Sequence, residues 1–161
     1  MEFEEYVQAR GPALLRVALL LTGQQHTAED LTQAALEDAL VHWGRVARAD
    51  HPELYVQRMM LNRYLQGRRR RSSSEVVLAD PGPDAADADR TADVADRDQV
   101  ERLLARLAPR ARAMLVLRYY LDLDDQSIAA QLGVSPSTVR STLSRALQAL
   151  RVTAEAVGEQ P

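Results

Sequence analysis

The sequence predicts an all-α protein: two small helical domains joined by a flexible acidic linker, the C-terminal one containing a helix-turn-helix. Three observations carry this. Apolar residues make up 46% of the 161-residue chain and aromatics only 4%, so the cores must be built from Leu, Ala and Val, and Leu and Ala favour helix. No stretch alternates apolar and polar residues as a half-buried strand does. Charge is segregated: residues 1–71 carry ten arginines against nine acids, 72–98 two against eight, and 99–161 eight against six. The length suits one medium domain or two small ones.

The first domain is expected over 1–71. Phe3, Tyr6 and Val7 give an apolar face, and Gly11-Pro12 is expected to interrupt or restart the helix. Leu14 to Leu21 continues it to Gly23, a natural C-terminal stop. Thr27 is expected to cap the next helix, with Asp30 three residues on as a weak capping box. Leu31, Ala34, Ala35, Asp38 and Ala39 run down that helix, and its other side shows Gln33, Glu37 and His42. Gly44 or the Ala47–Asp50 stretch ends it. Pro52 suits the first turn of a third helix, through Leu54, Met59 and Leu65 to the run Arg68–Arg71.

Ser72 to Asp98 reads as the linker. Its serine run, Pro81-Gly82-Pro83 and repeated Ala-Asp steps lack helical periodicity and bury little. It is a flexible tether or, more sharply, an occupant of a partner's basic channel that imitates nucleic-acid charge.

Helix returns from Gln99 to about Val157, in a second domain expected over 99–161. Val100, Leu103, Leu104 and Leu107 form one face, and Pro109 starts a second helix carrying Met114, Leu115, Leu117 and Leu121. Asp125 to Gly133 reads as a short helix ending at glycine. Ser135 is a good N-cap, with Pro136 at the first helical position of a helix to about Arg151. Val139, Leu143, Ala146, Leu147 and Leu150 form its apolar stripe. A small residue (Ala129), glycine four residues on (Gly133) and a branched apolar residue six further (Val139) make the pattern of a DNA-binding helix-turn-helix. The alternative is an ordinary helical hairpin. The opposite face carries Ser137, Arg140, Ser141, Ser144 and Arg145, whose hydroxyls and guanidinium groups suit phosphates and base edges.

Other chemistries find little support. There is no cysteine, which excludes disulfide scaffolds and Cys-type zinc sites. His26, His42 and His51 lack ligand spacing. No glycine-rich phosphate loop, Ser/His/Asp grouping, metal site or cofactor site is visible. Glu29-Asp30 with Glu37-Asp38 is the nearest thing to a paired-carboxylate site. No apolar run reaches the ~18 residues of a membrane span, and the acidic start is unlike a signal peptide's. A cytoplasmic protein without catalytic residues or cofactor is therefore expected.

Several segments resemble one family. Residues 107–151 (LAPRARAMLVLRYYLDLDDQSIAAQLGVSPSTVRSTLSRALQALR) closely resemble the −35 binding domain, region 4, of extracytoplasmic-function sigma factors, in an actinobacterial-like form. Residues 13–43, with LTGQQHTAEDLTQAALEDAL, resemble region 2, and HPELYVQRMMLNRYLQGRRRR resembles its −10 reading segment. The resemblance implies that the chain binds core RNA polymerase, through the β′ clamp and β flap, and directs promoter-specific initiation. It implies that Asp30, Leu31, Gln33 and Glu37 dock on the clamp helices. It places Asn62, Arg63, Gln66, Arg68, Arg69, Arg70 and Arg71 at the −10 element. It places Ser137, Thr138, Arg140, Ser141, Ser144 and Arg145 at the −35 element. The linker would thread towards the active-site and RNA-exit channels, and an anti-sigma factor is an expected partner. Tyr55 stands where the family often has tryptophan, Gln66 where aspartate is common, and Thr142 where a basic residue is frequent. These departures bear on the promoter sequence preferred. The competing reading is a stand-alone regulator with a response-regulator-type output helix-turn-helix; a pure interaction protein is a third.

Overall fold

The computed structural model describes residues 1–74 and 92–158, with the backbone alone for Arg68 to Ser74, Ala92 to Asp98, Ala154 and Ala156 to Gly158. Among the described residues every regular element is helical. In the N-terminal half, α1 (Phe3–Thr22) packs against α2 (Gln25–Val41), a single-turn α3 (Trp43–Val46) follows, and α4 (Pro52–Ser74) lies on α2. The C-terminal half comprises α5 (Ala92–Ala105), α6 (Pro109–Leu115), a π-helical turn (Val116–Tyr120), α7 (Asp125–Leu132) and α8 (Pro136–Gly158). No described helix is long and apolar enough to cross a membrane.

Several local expectations change. Gly11-Pro12 does not break α1, which runs straight through. Pro12 is exposed, and the carbonyl that loses its amide partner, that of exposed Gln8, is open to water. Thr27 does not cap α2. The cap is Gln24, and Thr27 lies inside the helix with its hydroxyl donating to Gln24 Oε1 at 3.2 Å. The second helix ends at Val41, before Gly44, and α3 occupies the stretch expected to close it. The Ser72–Asp98 segment is entered by helix from both sides, α4 to Ser74 and α5 from Ala92; residues 75–91 lie outside the described residues. Val100 and Leu147 were assigned to buried faces but stand half and more than one-third exposed. A helical stripe wider than its contact surface leaves its edge residues in water.

The halves share one continuous apolar core. Tyr6, Leu21, Val46, Val56, Met60 and Leu61 fill the N-terminal part; Met114, Leu117, Ile128 and Val139 fill the C-terminal part. Phe3 and Tyr6 each bring their rings within 5.4 Å of the Trp43 ring, and Trp43 Nε1 donates to the Met1 carbonyl. This cluster fixes α3 against the start of α1. Burial, with Glu53 nearby, pushes the Tyr6 phenol up to about 12. Between the halves, α6 and the π turn rest on α1, and α6 on α4. Arg112 is buried there, and its Nε donates to the Leu20 carbonyl at 2.6 Å. Gly23 ends α1 with φ 73°, and a Cβ on it would meet the Arg112 guanidinium at 3.3 Å. Glycine is needed there both for the left-handed turn and for the close approach.

Candidate nucleic-acid interface

The helix-turn-helix forms from local chemistry. Asp124 caps α7, its Oδ1 accepting from the Ser127 amide at 2.8 Å, and this bond holds the carboxyl below the usual carboxylate range. The helix stops at Gly133, φ 69°, whose amide, like that of Val134, returns to the Ala129 carbonyl. Ser135 then caps α8, its Oγ accepting from the Thr138 amide at 3.2 Å. Ile128, Ala129, Leu132 and Val139 are buried where the two helices cross. The expected triplet of small residue, glycine and branched residue thus occupies the expected places.

The opposite face of α8 is open. Ser137, Arg140, Ser141, Ser144 and Arg145 follow i, i+3, i+4, i+7, i+8 spacing on one side of the helix, with Thr138 beside them, and all six are exposed. Several of them hold local contacts. The hydroxyls of Ser137 and Thr138 sit 3.1 and 2.9 Å from Ser135 Oγ, Ser141 donates to the Thr138 carbonyl, and Arg145 Nε donates to the Ser141 carbonyl. Arg140 NH1 lies 3.8 Å from Asp125 Oδ2, and the same carboxylate pairs with Arg118 through Oδ1.

In the N-terminal half, Asn62, Arg63 and Gln66 share the exposed side of α4. Arg63 is engaged, with Nε and NH2 each donating to Asp38 of α2 at 2.6 Å. This two-toothed bond holds the Asp38 carboxyl below its usual range and raises Arg63 further. It also removes Asp38 from the paired-carboxylate alternative. The backbone carrying Arg68, Arg69, Arg70 and Arg71 continues α4; their side chains lie outside the described residues. On α2, Asp30, Gln33 and Glu37 are exposed and Leu31 is half-buried against the core. Gln33 donates to Glu37 at 3.1 Å, and Asp30 lies 3.6 Å from His26.

A further feature of the N-terminal half does not follow from the residue pattern. Val41, His42, Gly44, Arg45, Arg48, Ala49 and Tyr55 line a shallow groove between α3 and the start of α4. Its signal in the sequence is the Arg45–Arg48 pair near Tyr55, which α3 and the start of α4 bring around one hollow.

The matches to known proteins follow the same division. The Sigma-70 region 2 model matches residues 6–74 and the Sigma-70, region 4 model residues 97–150. The chain is 40% identical over 151 residues to an RNA polymerase sigma-E factor of Streptomyces avermitilis, covering 94% of this chain and 84% of that one. It is 32% identical over 149 residues to the ECF RNA polymerase sigma factor SigL of Mycobacterium tuberculosis, covering 90% and 84%. In fold it is similar to the sigma factor RpoE solved in complex with the anti-sigma factor NepR from Bartonella quintana. That likeness has a TM-score of 0.73 at 22% identity over 95% and 96% of the two chains. The chain belongs to the sigma-70 family, in its extracytoplasmic-function group.

Proposed function

We propose that this protein binds core RNA polymerase and directs promoter-specific initiation, reading the −35 element with α8 and the −10 element with α4. The observation that carries this is the capped α7–α8 unit with its open Ser/Arg face, on the same chain as a region 2 domain. The role is that of an initiation factor rather than a catalyst.

In this reading, the N-terminal part of α8 enters the major groove. Arg140 and Arg145 pair with base edges, and Ser137, Thr138, Ser141 and Ser144 take phosphates and smaller contacts. Asn62, Arg63, Gln66 and the Arg68–Arg71 run hold the opened −10 strand. The groove at His42, Arg45, Arg48 and Tyr55 suits an unstacked base, because it joins cationic side chains to an aromatic face. Asp30, Leu31, Gln33 and Glu37 supply the polymerase-docking surface on α2. The two promoter elements lie about 25 base pairs apart, or ~85 Å at about 3.4 Å per base. A packed chain of this length is about 40 Å across. Promoter engagement therefore separates the two halves at the Arg112 contact. An anti-sigma factor that covers both halves is the expected inhibitor; the similar fold RpoE was solved with the anti-sigma factor NepR, and CnrH with the cytosolic domain of CnrY. A neighbouring gene product that does not bind this chain, with full activity in the absence of any release step, would count against it.

In vitro transcription with purified core polymerase on fragments of the chain's own genome tests the central reading. Promoter-specific transcripts that appear only with this protein support it. No transcripts, with specific duplex binding by the protein alone, would replace it with the stand-alone regulator.

A further inference from the structure

Asp125 stands in the first turn of α7, within reach of Arg140 on the open face of α8. Its Oδ1 pairs with Arg118 from the π turn, and its Oδ2 lies 3.8 Å from Arg140 NH1. The carboxylate is one-quarter exposed, as is roughly true of Arg118, while Arg140 is mostly exposed. One anion of α7 thus serves two cations, one from the π turn before it and one from α8 after it, and the cluster carries one net positive charge where two arginines alone would carry two.

We infer that Asp125 is a specificity-determining positioning residue, which biases Arg140 towards base edges and against bare phosphates; this rests on the reading of α8 as the −35 helix. The reason is electrostatic. A phosphate that approaches Arg140 brings a full negative charge towards the Asp125 carboxylate. Guanine O6 and N7 bring only partial charges. Arg140 can therefore take a base edge while keeping its attraction to Asp125, whereas contact with a phosphate opposes the two anions. Phosphate contacts supply sequence-independent affinity, and base contacts supply discrimination. A carboxylate at this position lowers the first more than the second. Its pairing with Arg118 fixes the carboxylate in turn, so the bias does not depend on a freely rotating side chain.

The test uses the full-length chain, fluorescence anisotropy and two probes. One is a duplex pool of randomised sequence, and the other is the set of duplexes that the wild-type chain enriches from that pool. Asp125→Asn keeps shape and an acceptor for Arg118 but removes the charge. It is expected to bind the random pool about three- to tenfold tighter at low salt, with a salt slope steeper by about one counterion. Its preference for enriched over random sequence should fall. Asp125→Glu, which restores the charge, should return the slope and preference towards wild type; a purely structural role predicts no such pattern. Unchanged random-pool affinity and slope in Asp125→Asn, at wild-type helicity, would overturn the inference. Arg140→Ala separates this from the underlying reading. If it leaves binding to enriched duplexes untouched, or if the wild-type chain enriches nothing, the −35 assignment of α8 fails and the inference fails with it. If Arg140→Ala weakens that binding while Asp125→Asn changes nothing, only the inference fails.

Discussion

The two halves of the molecule build their candidate sites in different ways. In the C-terminal half the site is mostly local: Asp124, Gly133, Ser135 and the α8 face lie within about one supersecondary unit, and each capping bond that shapes it spans a few residues. In the N-terminal half the site is assembled over distance. Asp38 and Arg63 are 25 residues apart and meet only because α2 and α4 pack together. The groove at Tyr55 is lined from the end of α2, α3, the turn after it and the start of α4, which meet only in the packed fold. A local site tolerates weak tertiary packing, whereas an assembled one depends on it.

The largest effects should test whether the two halves unfold together. Met60→Ala in the first half and Ile128→Ala in the second should each cost about 2–5 kcal/mol, because both side chains are fully buried in one continuous core. Each should lower a single thermal transition followed by circular dichroism. Two transitions moved separately would show that the shared core does not couple the halves. Arg112→Leu removes a buried charged donor to Leu20 and is expected to cost about 1.5–3 kcal/mol. Small-angle scattering should show the molecule expand while helicity is retained; an unchanged radius would break the view of Arg112 as the link between halves.

Arg140→Ala with Arg145→Ala addresses the local site. Each good bidentate base contact is worth ~1–3 kcal/mol, so −35 promoter occupancy by the holoenzyme should fall steeply while helicity holds. Unchanged occupancy would remove these residues from the reading face. The backbone of the same half offers a smaller effect. Asp122 closes the π turn with φ 56°, a conformation that β-branched residues resist. Asp122→Val is expected to lose about 1–2 kcal/mol and Asp122→Gly to lose nothing, by denaturant titration.

The smallest effect belongs to the assembled site. Asp38→Asn removes the Arg63 ion pair, which is partly exposed, so the loss should stay within about 1 kcal/mol after screening. The sign with pH is fixed. The Asp38 carboxyl is depressed in the fold, so its contribution is present above the ordinary value of 3.8 and fades as pH falls through its lowered folded value. Wild type and Asp38→Asn should therefore differ at neutral pH and converge in strong acid. A difference that persists in acid would assign the effect to something other than the ion pair.

This contrast also explains what could be read from the chain. The helix ends at Gly23 and Gly133, the starts at Pro52 and Pro109 and the cap at Ser135 were legible because each depends on one residue's own backbone preference or side chain. The expected break at Pro12 was not observed, because whether a proline breaks a helix depends on whether water can reach the freed carbonyl, and that is a matter of burial. Thr27 was misassigned as a cap because the helix begins two residues after Gly23, too early for it. The α8 face was legible in full. In the N-terminal half, Asn62, Arg63 and Gln66 lie on one exposed side as their spacing implies, whereas the Asp38 partner of Arg63 and the groove at Arg45 and Arg48 do not follow from spacing.

By itself the sequence determined the helical class, the order of the elements, the turn at Gly133 and the helix face that bears Arg140 and Arg145. All of these follow from periodicity and single-residue conformational preference, which act over a few positions. Only the tertiary structure decided that Arg63 is held by Asp38, that Tyr55 faces a cationic groove, that Asp125 stands between Arg118 and Arg140, and that Arg112 joins the two halves. Those contacts depend on where packed helices bring distant side chains, and short-range ion pairs and hydrogen bonds form only after that packing has set the distance.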